Sequence, residues 1–239
     1  MAAFEKLFSQ YDRLFLFDTE TTGLHFSRDE IIEFAAVVVE QKNGMPVVVE
    51  EYDQLISLSP GMTVPPLIEN LTGISTQDIL DRGISKKQVC ADIARMISGN
   101  TLLLAYNAHF DLSFLFYLLL REGDPAILKG KDKLDLYTVY RDRRPYPHKL
   151  CHAIEAYGLG DKVVNSHRAV DDVLATVAVM EAMEAEKSDL ENYVNLFGFN
   201  PKYGVEGKPI SSVTYKAQPY TNDYHPQNEP PVPTPLYRL

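Results

Sequence analysis

Residues 14–17, Leu-Phe-Leu-Phe, run without a break into Asp18-Thr19-Glu20. Four consecutive apolar side chains read as a strand buried on both faces, because side chains alternate across a sheet. Asp18 and Glu20 stand two residues apart, so on a continuing strand they point to the same face. Two anions that close repel each other and are costly beside an apolar core, and a divalent cation between them removes the cost. The competing reading is a strand that ends at Phe17 and turns into a loop, where Asp and Thr are common. An Asp-x-Glu pattern is too frequent to decide between the two by itself.

The rest of the chain builds a sheet around that strand. Phe4, Leu7, Phe8 and Tyr11 fall at helical spacing, which predicts a short amphipathic helix over the first dozen residues. Residues 31–40, rich in valine and isoleucine, form a second strand. Asn43-Gly44 signals a hairpin into a third at 47–58, giving an antiparallel meander. Helical patterns follow at 65–71, opened by Pro65-Pro66 and stopped by Gly73, and at 86–97. Residues 101–105 are a fourth, almost wholly apolar strand. A helix over 111–121 ends at Gly123, and a short fifth strand lies near 133–136. Further helices are expected at 136–141, 149–157 and 169–186. Strands of both senses covered by helices make an α/β fold with a central mixed five-stranded sheet.

After residue 187 the periodicity weakens. Glycines and a Ser-Val-Thr-Tyr run suggest a small hairpin within 200–215, in an extension spanning 188–216. Six of the fifteen prolines lie within 217–239, a tail read as disordered or polyproline-like. No internal repeat is visible. Cys90 and Cys151 are far apart and match no zinc spacing, so they read as a buried, reduced pair. No apolar run has the length of a membrane span and no secretory signal opens the chain, which predicts a cytoplasmic protein without membrane contact.

Two further motifs carry candidate chemistry. Tyr106-Asn107-Ala108-His109-Phe110-Asp111 directly follows the apolar strand 101–105. That places Asp111 at the sheet edge where α/β proteins bind ligands. Its plain structural role would be a helix N-cap, worth roughly 1 kcal/mol. His109 reads as a packing or hydrogen-bonding residue rather than a metal ligand. Ser166-His167-Arg168-Ala169-Val170-Asp171-Asp172 sets an imidazole in a loop five residues before a carboxylate at a helix start. Acids in that first turn also complement the helix dipole.

Taken in order, Asp18-Thr-Glu20-Thr-Thr-Gly, Asn107-Ala-His-Phe-Asp111 and His167-x4-Asp172 resemble the DEDD exonuclease family. The match is to its His-containing (DEDDh) branch, which includes the epsilon-like proofreading subunits of bacterial polymerases. The resemblance covers about residues 10–185, within an expected exonuclease domain of 1–187, and implies a ribonuclease H-like fold. One position departs from it: the family often carries a His before the Asn of the second motif, and this chain has Tyr106.

The resemblance implies a two-metal 3′→5′ exonuclease that releases nucleoside 5′-monophosphates from DNA ends, in proofreading or repair. Asp18 would bridge two Mg²⁺ or Mn²⁺ ions. Glu20 and Asp172 would complete the site of the ion that activates water, Asp111 would support the other, and His167 would be the general base. Family spacing selects Asp172 over Asp171. Thr21, Gly23, Leu24, Asn107 and Phe110 are the candidate contacts to the terminal nucleotide, with Gly23 allowing close backbone approach and Leu24 wedging against the base.

The partners so implied are single-stranded or frayed 3′ ends, DNA before RNA, together with a DNA polymerase or clamp. An RNA-directed enzyme of the same family, or an inert module that binds nucleic acid or a polymerase, are the alternatives. The net charge of −10 argues against a protein that coats nucleic acid, yet not against one that holds cations in a carboxylate cluster. The basic run Arg141-Asp-Arg-Arg144 could meet a substrate backbone, although a solvated loop is its commoner meaning.

Overall fold

A computed structural model of the protein describes residues 4–196. Five strands form one sheet in the order β3-β2-β1-β4-β5. β1 (Arg13–Thr21), β2 (Ile31–Lys42) and β3 (Met45–Leu55) make the expected antiparallel meander, while β4 (Thr101–Ala105) and β5 (Lys133–Asp135) add parallel to β1. The sheet is therefore mixed, as the sequence predicts.

Alternation along β1 divides the core into two halves. Leu14 and Leu16 face a layer containing Val37, Leu102, Leu104, Val173 and Met180, built chiefly on helix α8 (Ala169–Glu186). Phe15 and Phe17 face the opposite side, with Phe34, Leu103, Leu112 and Leu115. There helices α4 (Lys86–Met96) and α5 (Ala108–Glu122) cover the sheet. The rings of Phe15, Phe17 and Phe34 stack with centroids 5.5–6.4 Å apart. Each such side chain, fully buried, stabilises the fold by about 2–3 kcal/mol.

Several boundaries differ from the sequence reading, each for a local reason. The first helix, α1 (Glu5–Phe8), is a single turn. β1 does not stop at Phe17 but runs to Thr21, because β2 continues to pair with it through Glu33 and Ile31. A helix the periodicity did not reveal, α3 (Thr76–Arg82), follows α2 (Pro66–Thr72); Ser75 and Asp78 form its reciprocal capping box. α6 (Leu136–Arg143) and α7 (Leu150–Ala156) lie close to expectation. Cys90 is buried as expected, whereas Cys151 is exposed on α7.

The loop reading of the basic run is corrected, since Arg141 and Arg143 lie on α6. Arg143 is buried and donates to the Met183 carbonyl at 2.6 Å and to Asp189 at 2.5 Å; Arg144 pairs with Glu186 at 2.5 Å. These two arginines fasten the end of α8, Arg143 with its side chain buried and Arg144 with its side chain 30% exposed. The packed body continues past residue 187: Leu190, Tyr193 and Leu196 join the α8-side core, and the Asn195 amide donates to the Lys133 carbonyl at 2.7 Å. The hairpin expected within 200–215 and the proline-rich tail fall outside the described residues. Among the described residues no helix is long and apolar enough to cross a membrane.

Candidate active site

The site forms where β1 outruns its parallel neighbour. β4 pairs with Arg13–Leu16 and ends at Ala105, so Asp18 to Thr21 project beyond it at the strand's C-terminal end. Asp18 and Glu20 share the face of Leu14 and Leu16, toward α8. The loop before α8 brings in His167, and the first turn of α8 brings in Asp172. One ligand atom each from Glu20, His167 and Asp172 lies within 4.8 Å of the others.

Asp111 arrives from the opposite side. α5 begins at Ala108 rather than at Asp111, so Asp111 sits one turn in and is not the N-cap. It is 3% exposed, and its Oδ1 accepts from the Thr19 backbone N–H at 3.0 Å and from the Thr19 hydroxyl at 2.8 Å. Thr19 thus turns away from the α8 face while its two flanking acids turn toward it. The α5 start is set by Asp135 at the end of β5, whose Oδ1 accepts from the Ala108 N–H at 3.0 Å. Asn107, immediately before, adopts left-handed backbone (φ 65°), which Asn tolerates better than most residues. Its identity has this conformational reason whatever its side chain meets.

Electrostatics bind the four acids into one cluster. Burial raises Asp18 well above the ordinary carboxylate range, and the charges of Asp111, Asp172 and Glu20 push it further. Glu20 is raised to about 8 by burial and by Asp172. Burial raises Asp111 to about 7 against the pull of the two Thr19 hydrogen bonds, and it raises Asp172 as well. Such a set is strained without positive charge. Asp172 also shows where a cation fits: Asn165 Nδ2 donates to its Oδ2 at 2.7 Å, while its Oδ1 is buried with no hydrogen-bond partner. Carboxylate oxygens with an imidazole beside them suit a small divalent cation.

Asp171 stands apart, accepting from the Ser166 hydroxyl at 2.5 Å. His109 is half-buried and its imidazole is lowered to about 4 by that burial, in keeping with a packing role. The candidate nucleotide contacts divide. Leu24 is 74% exposed, a free apolar side chain beside the strand end. The Thr21 hydroxyl donates to the Gly23 carbonyl at 2.7 Å. A Cβ on Gly23 would stand 2.4 Å from Asp29 Oδ2, so a side chain there would displace the Asp29 carboxylate, which also accepts from the His25 N–H. Phe110 packs its ring 4.9 Å from Phe114.

Sequence reasoning missed the residues that hold this chemistry in place: Thr19, Asn165, Asp135 and Glu33. Thr19 alone carried a signal, since it lies between the two acids of one strand. Asn165 lies seven residues before the acid it holds, while Asp135 and Glu33 act across 27 residues and more.

Comparison with known proteins agrees with this geometry. The model of the RNase_T family, described as Exonuclease, matches residues 15–180. The DNA polymerase III subunit epsilon of Treponema pallidum is 32% identical over 71% of this chain and 75% of its own length. The PolC-type DNA polymerase III of Clostridium perfringens is 30% identical over 80% of this chain. The match spans only 12% of that much longer protein. Among solved structures, E. coli Exonuclease I in complex with a dA16 oligonucleotide superposes with a TM-score of 0.65. It is 23% identical and the match covers 76% of this chain and 42% of that one, a likeness of ribonuclease H-like fold.

Proposed function

The chain belongs to the RNase_T exonuclease family, and from that premise we propose that it hydrolyses DNA stepwise from the 3′ end, releasing nucleoside 5′-monophosphates. The observation that carries the reading is the convergence of Asp18, Glu20, Asp111 and Asp172 with His167 at one strand end. A fold without chemistry to perform has no reason to gather four acids whose burial and mutual repulsion all oppose ionisation.

Asp18, Glu20, Asp111 and Asp172 would hold two divalent cations, Mg²⁺ or Mn²⁺. When bound, these supply a clamp on the attacking and leaving oxygens of the phosphodiester. The protein's own groups do the rest. His167, exposed on its loop beside Glu20 and Asp172, accepts the proton of the attacking water as general base. Thr19 keeps Asp111 turned into the cluster, and Asn165 does the same for Asp172. Thr21, Leu24 and the backbone at Gly23 line the approach of the terminal nucleotide, where Leu24 offers an apolar surface to its base. Asn107 and Phe110, at the start of α5, complete that side.

DNA is favoured over RNA because the similar proteins are by name DNA polymerase III components, and because Exonuclease I was crystallised with a DNA strand. By the same likeness, a replicative polymerase or clamp is the proposed partner, and the setting is proofreading or repair inside the cell. The test uses 3′- and 5′-labelled DNA and RNA strands with Mg²⁺, alongside Asp18→Ala. Stepwise loss from the DNA 3′ end, abolished by EDTA and by the substitution, is the expected result. Preference for RNA would reassign the substrate, and no metal-dependent cleavage of any strand would leave a binding module.

A further inference from the structure

Glu33 is out of place on simple electrostatic grounds. It lies on β2 directly opposite Glu20 in the strand register and is fully buried. Its charge adds to the repulsion that raises Asp18 and Glu20. A sheet needing only to be filled at that position would gain from an apolar residue.

What Glu33 touches accounts for its presence. Its Oε1 accepts from Arg168 Nε at 2.9 Å and from Arg168 Nη2, and its Oε2 accepts from the Ala169 backbone N–H at 2.7 Å. Arg168 follows His167, and Ala169 is the first residue of α8. His167 itself holds a left-handed backbone (φ 59°), a conformation disfavoured for a residue with a side chain. On its other side Ser166 is tied to Asp171 and Asn165 to Asp172. The chain is thus fastened on both flanks of an exposed imidazole. On the Arg168 flank the fastening runs to the strand beside the one that carries Glu20.

We propose that Glu33 and Arg168 are a positioning pair: they anchor the loop to the sheet and so hold the His167 imidazole in register with Glu20 and Asp172. The inference rests on the exonuclease reading, in which His167 acts on the attacking water. Two nitrogens donating to the one oxygen Oε1 require arginine, since a lysine side chain has a single nitrogen to offer. Arg168 also carries charge that partly offsets Glu33 toward Glu20. Its side chain is 36% exposed, so the rival role is a direct phosphate contact.

The test is a double-mutant cycle on the full chain, with single-stranded DNA and Mg²⁺. Arg168→Ala, and Arg168→Lys should the first fold poorly, are each made alone and with His167→Ala. Kinetics are read beside hydrogen exchange at the Ala169 amide. Misplacing a reacting group by an ångström costs on the order of 100-fold. Arg168→Ala should therefore lower kcat by about 10- to 100-fold with KM within about threefold, and Arg168→Lys by less. With His167 already removed, the same change should cost under about twofold, because there is no base left to position. Exchange at Ala169 should accelerate.

Equal losses in both backgrounds, a loss carried by KM, or no loss would overturn the proposal. A wild-type chain inactive on every strand would count against the exonuclease reading. In that event Ala169 exchange unchanged by Arg168→Ala would separately refute the anchor, and accelerated exchange would uphold it.

Discussion

Replacing Glu20 by Gln should stabilise the metal-free protein while disabling it. Glu20 is raised from an ordinary 4.5 to about 8, chiefly by burial and then by Asp172. A carboxyl raised in the folded state binds its proton more tightly there than in the unfolded chain. Between pH 4.5 and 8 the folded state is therefore penalised, and the penalty grows as pH rises. Each pH unit above 4.5 contributes about 1.36 kcal/mol, or about 3 kcal/mol by pH 7. Partial solvent access at Glu20 reduces this to about 2 kcal/mol. Gln fills the same space without titrating, so Glu20→Gln should gain that amount in EDTA at pH 7, equivalent to a Tm higher by about 4–8 °C. At pH 5 the gain should fall below about 1 kcal/mol. Added Mg²⁺ should narrow or reverse the ranking, since the wild type then gains binding energy the variant lacks. Urea unfolding at both pH values, with and without Mg²⁺, measures all three quantities. A variant no more stable than wild type at pH 7 in EDTA would refute the claim that this carboxylate is strained.

Thr19→Val removes the hydroxyl that donates to Asp111 and keeps the backbone donor. A hydrogen bond to a charged group is worth about 1.5–3 kcal/mol, so the Mg²⁺ concentration for half-maximal activity should rise by about tenfold or more. Arg143→Ala leaves Asp189 buried and deprives it of its closest cation, which should cost about 3–5 kcal/mol in urea unfolding. DNA affinity of the folded fraction should not change, contrary to a substrate-contacting basic loop. Because Arg143 and Arg144 are paired with acids at the end of α8, neither is counted among the cations offered to the DNA backbone. The slope of log affinity against log salt should then be shallow, about −1 to −2, where six phosphate contacts would give about −4.

The sequence discloses this fold where period and chemistry coincide. Apolar runs at 14–17 and 101–105 mark the two central strands, and Asn43-Gly44 marks the hairpin whose φ values are positive at both residues. It discloses less where tertiary pairing decides. Nothing local says that β1 continues through Asp18 and Glu20, because that extension depends on β2 remaining opposite it. Nothing local says that α5 starts at Ala108, because Asp135, 27 residues on, supplies the acceptor for its first N–H. Asp172 was separable from Asp171 by spacing, and the structure adds the physical distinction: one is buried in the cluster, the other held by Ser166. Gly23 shows the opposite case: the sequence suggests room there for a nucleotide, while the group that stands against it in the fold is the side chain of Asp29.

Four acids that repel one another will spread unless something else fixes them, and here each fixing group comes from the scaffold rather than from the cluster. Asp18 and Glu20 are set by the pleat of a strand anchored under two cores. Asp111 is turned by Thr19, and Asp172 by Asn165 through one oxygen while the other is left without a partner. The loop carrying His167 is tied to Glu33. These bonds hold the carboxylates against their mutual repulsion before any cation arrives, so binding a cation need not also order the site. If the chain acts as proposed, the same arrangement accounts for a net charge of −10 in an enzyme that meets a polyanion. On the proposed function, divalent cations held by these acids would reverse the local sign at the strand end, and a terminal phosphodiester would meet that field rather than the charge of the whole protein.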